Sequence, residues 1–341
     1  MTIKDIAEKA GVSVATVSFV LNDKCIEKKI SKATQEKVWE TVRELGYQPN
    51  ILARTLRSDL EESNKYYITI FWTTDKRDRI MIRFLRGLQE EILRKKLNCE
   101  ITIKPYQNDH LQEAMTDRTL KMCHGIILCN ASEKDMEYIN HIKLNKALVI
   151  YNRYSDFYCT VNVDDRELGE KAAQAFIDNK CTNSLIIASK ARFSGMNLRT
   201  SQFQEKISSY NLPKPHKISA DDTISGGFQA INKYFDKGLS CDSVFCTSDS
   251  IALGVLRAFY ERNIKVPEEI KVISIGSAED EQEEYAIPSL SVVKIPIEDM
   301  GKKCISLLYK ILNFNQREIV RIKVPIEFKE RESCPKEIKS L

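Results

Sequence analysis

Two different rhythms of apolar and polar residues divide the chain. Over residues 1–46 the apolar positions recur every three or four residues, as on the buried stripe of a helix, and three short helices are predicted. The first runs from Ile3 to Ala10 and ends at Gly11, a residue suited to the positive φ of a helix C′ position. Ser13 offers an N-cap to a second helix that reaches to about Asn22. Ser31 caps a third, with apolar residues at 38, 39, 42 and 45 and Gly46 past its end. Ile6, Ala7 and Ala10, facing Val17, Val20 and Leu21, supply a core so small that it is marginal alone.

Tyr47-Gln48-Pro49-Asn50 interrupts this pattern, and Ile51–Arg57 follows as a short helix-compatible piece before the polar stretch 58–65. An isolated helix of that length is mostly unfolded in water and orders only when something packs on it. From residue 66 the rhythm becomes strand–helix alternation. Strands are predicted at 66–72, 99–106, 125–130, 147–152, 184–189, 243–248 and 270–276. Helices are predicted at 82–96, 166–179, 199–211, 226–238, 248–263 and 297–313, with 290–296 as a linking piece. Near-continuous apolar strands between amphipathic helices imply parallel sheets covered on both faces. They are too many for one compact open sheet, so the expectation is two doubly wound α/β lobes facing a cleft.

Composition narrows the class. At 341 residues the chain is too long for one ordinary core. It is 43% hydrophobic and 29% charged, with a formal net charge of +4, so any nucleic-acid contact should be local rather than a general basic coat. The charged N-terminus MTIKDIAEKAG has no secretory h-region, and runs such as GIILCNA are too short to span a bilayer. A cytoplasmic location without membrane partners is expected. The ten cysteines form no CxxC pair, and the four histidines have no ligand-like spacing, so buried thiols, no metal and no cofactor are expected. No nucleophile elbow, Walker A loop, HExxH or GxGxxG fingerprint is present, and an enzyme has nothing to stand on.

Four strings carry more specific information: TIKDIAEKAGVS from Thr2, ATVSFVLN from Ala15, ELGYQPN from Glu44 and ARTL from Ala53. Taken together at this spacing, they resemble the lac repressor/galactose repressor family of bacterial transcription regulators. The resemblance implies a helix-turn-helix headpiece at 1–46, a hinge helix and linker at 47–60, and an effector-binding and dimerisation core at 61–341. The second helix would place Val14, Ala15, Thr16 and Phe19 at base edges in the major groove. That set is apolar: it can touch thymine methyls but cannot form a bidentate bond to guanine or adenine. Thr2, Ser13, Ser18, Asn22, Ser31 and the lysines around 24, 28 and 29 would contact phosphates. Asn50 and Ala53 belong to the hinge motif, and Leu56 takes the place of a leucine wedged into the minor groove to kink the DNA. The alternative for Leu56 is an ordinary apolar anchor on the core.

The likeness continues more loosely through 66–330, where the family fold resembles periplasmic sugar-binding proteins. Its best strings are VNVDD from Val161, FCTSDSIALG from Phe245, VPEEIKV from Val266, PSLSVVK from Pro288 and PIEDMG from Pro296. It implies crossings between lobes near 161, 293 and 325, giving lobe 1 as about 66–161 with 293–325 and lobe 2 as about 162–292 with 326–341. Ligands of open parallel sheets sit beyond the strand C-termini. Residue by residue, the effector candidates are Trp72, Asn152, Asp164, Arg199, Ser248 and Gly276, with Phe84 and Tyr151 as further lobe 1 contributors. Trp72 as plain core and Asp249 as a helix cap are the competing readings.

Two departures stand out. Relatives carry an aspartate pair where this chain has Gly276-Ser277, and the sugar-stacking aromatic falls near Asp222. The basic cluster Lys76-Arg77-Asp78-Arg79 with Arg83 and Arg86, and the acidic run Glu279–Glu284, are expected to be solvated surface. The reading as a whole is a repressor working as a homodimer on pseudo-palindromic double-stranded operator DNA. A sugar-like effector or related metabolite, or else a protein corepressor, would control it.

Overall fold

The computed structural model describes residues 3–21, 25, 27–45, 65–74, 78–142, 144–190, 194–277, 280–314 and 318–336. The chain divides at Lys65/Tyr66 into two compact units. In the first, α1 (Ile3–Ala10), α2 (Val14–Leu21) and α3 (Lys32–Glu44) form a three-helix headpiece. Its core is Ile6, Ala7, Ala10, Val17, Val20, Leu21, Cys25, Val38 and Val42. Gly11, at φ 61°, closes α1 as its sequence position predicts. Ser13 Oγ accepts from Thr16 N (3.0 Å) and Ser31 Oγ from Thr34 N (3.3 Å), so both predicted caps are made.

The second unit, among the described residues, holds two six-stranded sheets. The first is ordered β11-β5-β4-β3-β1-β2 and is parallel throughout: β1 (Tyr66–Thr73), β2 (Cys99–Tyr106), β3 (Gly125–Cys129), β4 (Ala147–Tyr151), β5 (Cys159–Asn162) and β11 (Arg321–Lys323). The second is ordered β12-β10-β9-β8-β6-β7: β6 (Ser184–Ser189), β7 (His216–Ala220), β8 (Ser243–Cys246), β9 (Lys271–Gly276), β10 (Ser291–Lys294) and β12 (Glu327–Lys329). Only its β10–β12 pair is antiparallel.

The chain leaves the first sheet after Asn162, returns after Lys294, and leaves again after Lys323. α4 (Asp78–Lys95) packs on α13 (Ile297–Phe314), and α8 (Asp165–Asp178) on α9 (Ser194–Ser208). α10 (Ile224–Asp236) packs on α11 (Asp249–Glu261) across a glycine seam. A Cβ at Gly254 would lie 1.9 Å from Ile224 O, and one at Gly227 would lie 2.1 Å from Ile251 O. Short α5 (Leu111–Ala114) and α6 (Asp117–Lys121) with α7 (Glu133–His141) complete lobe 1. α12 (Asp280–Glu284) follows β9. One apolar cluster runs from Ile68, Trp72 and Phe84 through Val161 to Phe203, Phe245 and Ile273, and so belongs to both sheets.

The expected two-lobed α/β class is thus the observed one. The segment read as a linking piece is corrected: Ser291–Lys294 is β10, fully buried between β9 and β12. α9 begins at Ser194 rather than at 199. Strands β5, β7, β11 and β12 were not predicted. They are short, and β7, β11 and β12 are edge strands with largely exposed side chains, which lack the apolar run that signals a strand.

Candidate functional site

On the headpiece, Ser13, Val14 and Ala15 are exposed at the start of α2, with Val14 at 45% exposure, while Val17, Val20 and Leu21 of the same helix are buried. Thr16, Ser18 and Phe19 are half-buried on the flank between these faces. The Lys28 ammonium lies 5.7 Å from the Phe19 ring centroid and 2.7 Å from Glu27 Oε1. Ser31 is exposed at the start of α3. The predicted contacts Thr2, Asn22, Asn50, Ala53 and Leu56, the lysine at 24 and the hinge segment 47–60 lie outside the described residues.

In the core, the candidates fall at the C-terminal ends of strands or just beyond them, except Arg199, which lies within α9. Trp72, next to last in β1, is buried (3% exposed), and its ring packs against Phe84 (5.5 Å) and Tyr151 (6.1 Å), which are themselves 4.7 Å apart. Its indole Nε1 is buried without a hydrogen-bond partner. An orphaned buried donor is costly, and such atoms mark strain or a missing acceptor. Asn152 follows β4 at φ 57°, its backbone N–H donating to Val161 O (2.9 Å).

Asp164 and Asp165 take different tasks. Asp164 caps α8, accepting from Arg166 N and Glu167 N, and pairs with Lys323 at 2.7 Å. That lysine, with the cap bonds, holds its carboxyl below the ordinary value. Asp165 is the buried one. Its carboxylate meets Arg199 Nε at 2.7 Å, the two side chains being 5% and 4% exposed, and accepts from Tyr154 OH (3.3 Å). Burial and the Asp165 charge push Tyr154 up to about 12.

In lobe 2, Ser248 precedes α11 and donates to Asp222 Oδ1 (2.5 Å), so the carboxylate found in place of a stacking aromatic is engaged by the serine. Asp249 opens α11. Its Oδ2 accepts from Ser277 N (2.7 Å) and Ser277 Oγ (3.2 Å), and this ties the helix to the end of β9. At Gly276 a Cβ would lie 2.7 Å from Glu283 Oε1. A cavity of about 240 Å³ opens beside this region between β6, β7 and α9, with Ser189, Lys190, Asn197, Thr200, Lys217 and Ser219 in its wall.

Two expectations of solvated charge are corrected. Arg83, on α4, is 5% exposed because its guanidinium clasps Glu298 of α13 (Nε to Oε1 2.6 Å, Nη2 to Oε2 2.5 Å) and donates to Ser277 O at 3.0 Å. It therefore joins lobe 1 to lobe 2. Burial alone would raise the Glu298 carboxyl, but the Arg83 bonds outweigh it and hold the value below normal. Glu283, in the acidic run, is 1% exposed, with Lys294 Nζ 3.0 Å from both oxygens and Arg331 Nη1 at 3.4 Å. Asp165, Asp222, Glu283 and Arg83, which bond to candidate residues or to the ends of the strands that carry them, are not among the candidates named from sequence. The second aspartate of VNVDD was the one visible signal.

Among the described residues no helix is long and apolar enough to cross a membrane, and no group of three acidic, histidine or cysteine side chains could hold a metal ion. All ten cysteines are free thiols, nine of them buried.

Comparison with known proteins adds the following. Residues 2–50 match the bacterial regulatory proteins of the lacI family, and residues 160–334 match the periplasmic binding protein-like domain. A LacI family transcription regulator from Clostridium acetobutylicum is 31% identical, with a TM-score of 0.72, over 78% of this chain and 100% of that one. The probable HTH-type transcriptional repressor ExuR of Bacillus subtilis is 26% identical over 98% of both chains. The lac repressor dimer bound to operator and the anti-inducer ONPF shares the fold, with a TM-score of 0.73 and 18% identity, over 98% of this chain and 99% of that one.

Proposed function

Because the chain belongs to the lacI family of bacterial regulatory proteins, whose members are transcription regulators and not enzymes, we propose that it is a cytoplasmic repressor whose grip on operator DNA is set by a small molecule. Residues 1–46 read the DNA, 47–60 form the hinge, and 61–341 bind effector and pair two chains, so that two headpieces meet a pseudo-palindromic site. Lobe 1 is about 66–161 with 293–325, and lobe 2 about 162–292 with 326–341. Leu56 enters the minor groove, where the cost of unstacking is offset by the wider contact of bent DNA.

The effector, a sugar-like molecule or related metabolite, sits where the strand ends of the two sheets meet. Trp72, Asn152, Asp164, Arg199, Ser248 and Gly276 mark that place. The observation that carries this reading is the buried Trp72 Nε1 without an acceptor, set among aromatic rings at the end of β1. A hydroxyl or carbonyl oxygen of a ligand supplies what the indole lacks. The lac repressor offers a parallel, since its dimer is bound to operator and the anti-inducer ONPF.

Mechanistically, a ligand can move the operator equilibrium only by binding the two lobe arrangements unequally. Arg83 is placed to register the arrangement, because its guanidinium, held by Glu298 on α13, also donates to Ser277 O of lobe 2.

The test is an operator titration of the full chain in the presence of sugars, sugar phosphates, nucleosides and purine bases, with thermal shift in parallel. A true effector raises the melting temperature by binding linkage and changes operator affinity about 5–150-fold. A compound that raises the melting temperature but leaves operator affinity unchanged is not the effector. A panel with no hit in either assay removes these compound classes and moves weight to a protein corepressor or a ligand outside them.

A further inference from the structure

We infer that the reading helix selects its operator through thymine C5-methyl groups and not through paired hydrogen bonds to purine edges. The inference rests on the DNA-binding reading above and specifies what that surface takes.

The start of α2 is where a helix of this kind meets base edges. There the structure exposes Val14 and Ala15, which carry no polar side-chain atom. Their neighbours Ser13 and Thr16 carry hydroxyls, but these are turned on each other. The two oxygens are 2.8 Å apart, and Ser13 Oγ also accepts from Thr16 N. Whichever hydroxyl donates, the pair keeps one hydrogen for an outside acceptor, too few for the two-donor contact to guanine. One turn on from Ala15 stands Phe19, on the same helix face at i+4. The Lys28 ammonium lies 5.7 Å from the Phe19 ring centroid and donates to Glu27 Oε1.

The result is an apolar strip of Val14, Ala15 and Phe19 without a forked donor or acceptor. In the major groove a thymine is distinguished by its methyl, and contact with that methyl is what apolar side chains can discriminate. Guanine and adenine offer such a strip only polar edges, which it would desolvate without repayment in hydrogen bonds. Each half-site should therefore hold A·T pairs at about two or three positions under the tip of α2.

The experiment starts by selecting duplexes from a random pool with the full-length chain. The enriched duplex is then remade with deoxyuridine in place of thymidine, one position at a time, and each version is titrated by fluorescence anisotropy. Deoxyuridine keeps base pairing and both edge acceptors and removes only the methyl, so protein folding is not at issue. We expect about fourfold weaker binding for each contacted methyl lost. Val14→Ala should abolish the sensitivity at one position, and Phe19→Arg should move one selected base toward guanine. Uniform tolerance of deoxyuridine in an enriched duplex overturns the methyl readout while leaving operator binding intact. If no duplex is enriched over bulk DNA, the DNA-binding reading fails and the methyl readout fails with it.

Discussion

The buried pair Arg199–Asp165 offers the sharpest energetic test of how the core is built. Its two side chains are 4% and 5% exposed and meet at 2.7 Å, beside Tyr154 OH. Arg199→Ala removes the guanidinium but leaves the Asp165 carboxylate out of water. Breaking a buried ion pair from one side costs about 3–5 kcal/mol, a large share of the roughly 5–15 kcal/mol that holds a domain together. Asp165→Asn keeps the shape and strands the charge on the other side, so it should cost a similar amount. The double change Arg199→Met with Asp165→Leu removes both charges and keeps apolar volume, and such replacements are often close to neutral.

The assay is urea unfolding of the full chain followed by circular dichroism, with Arg199→Met, Asp165→Leu, the double variant and wild type forming the cycle. The expected coupling is about 2 kcal/mol or more, with the double variant more stable than either single one. Single losses below about 1 kcal/mol, or additivity within about 0.5 kcal/mol, would refute the claim that the pair acts as a desolvated unit. The cycle also bears on function. Loss of effector response in Arg199→Ala alone does not separate a ligand contact from a loosened lobe. Arg199→Lys, which keeps the charge, should retain most of the stability yet lose the forked donor, and with it the effector response.

Three further outcomes are expected. Leu56→Ala should weaken specific operator binding in a gel-shift titration while leaving the melting temperature nearly unchanged; equal affinity would remove the wedge assignment. Gly254→Ala should destabilise, because a Cβ placed 1.9 Å from Ile224 O must push α10 away from α11. An overpacking cost of about 1–3 kcal/mol exceeds or matches the roughly 1 kcal/mol gained in helix propensity, and a higher urea midpoint would contradict the seam. Asp164 has a lowered folded pKa, so its contribution is present above the ordinary carboxylate pKa and is lost as pH falls through the lowered one. Stability measured down this acid limb should decline less steeply in Lys323→Met, and an unchanged slope would break the link to Lys323.

The fold was legible where physical signals were local. Helix caps at Ser13 and Ser31, the left-handed Gly11 and the apolar runs of β1, β3, β4, β6 and β9 announce themselves within a few residues. What stayed hidden was decided by partners far along the chain. Arg83 reads as one more charge on a solvated helix until Glu298, 215 residues away, is packed beside it. Asp165 differs from Asp164 by a single step along the chain, yet one faces Arg199 in the interior and the other Lys323 at the surface. A periodic pattern assigns faces, but it does not distinguish a charge that meets water from one that meets its counter-ion.

The end of β9 shows the same limit with functional weight. From sequence, Gly276 marks a carboxylate lost from the place where relatives keep an aspartate. In the structure a carboxylate is there all the same, delivered by Glu283 from α12, and its oxygen stands 2.7 Å from where a side chain at 276 would begin. The glycine and the glutamate are thus one feature: a larger residue at 276 would collide with Glu283 Oε1 and with Val292. This carboxylate is not free for a ligand's hydroxyls. Burial raises its pKa, and Lys294 and Arg331, 11 and 48 residues away, oppose that rise by holding the charge between them. Asp249 is spent on Ser277 and Ser248 on Asp222 in the same way. Ser248, Asp249 and Glu283 are thus satisfied by neighbours within lobe 2, whereas the indole donor of Trp72 is buried at the end of β1 without an acceptor. On the effector reading proposed above, a ligand that reaches Trp72 Nε1 gains more than one competing for these carboxylates, because only the first adds a hydrogen bond without breaking one.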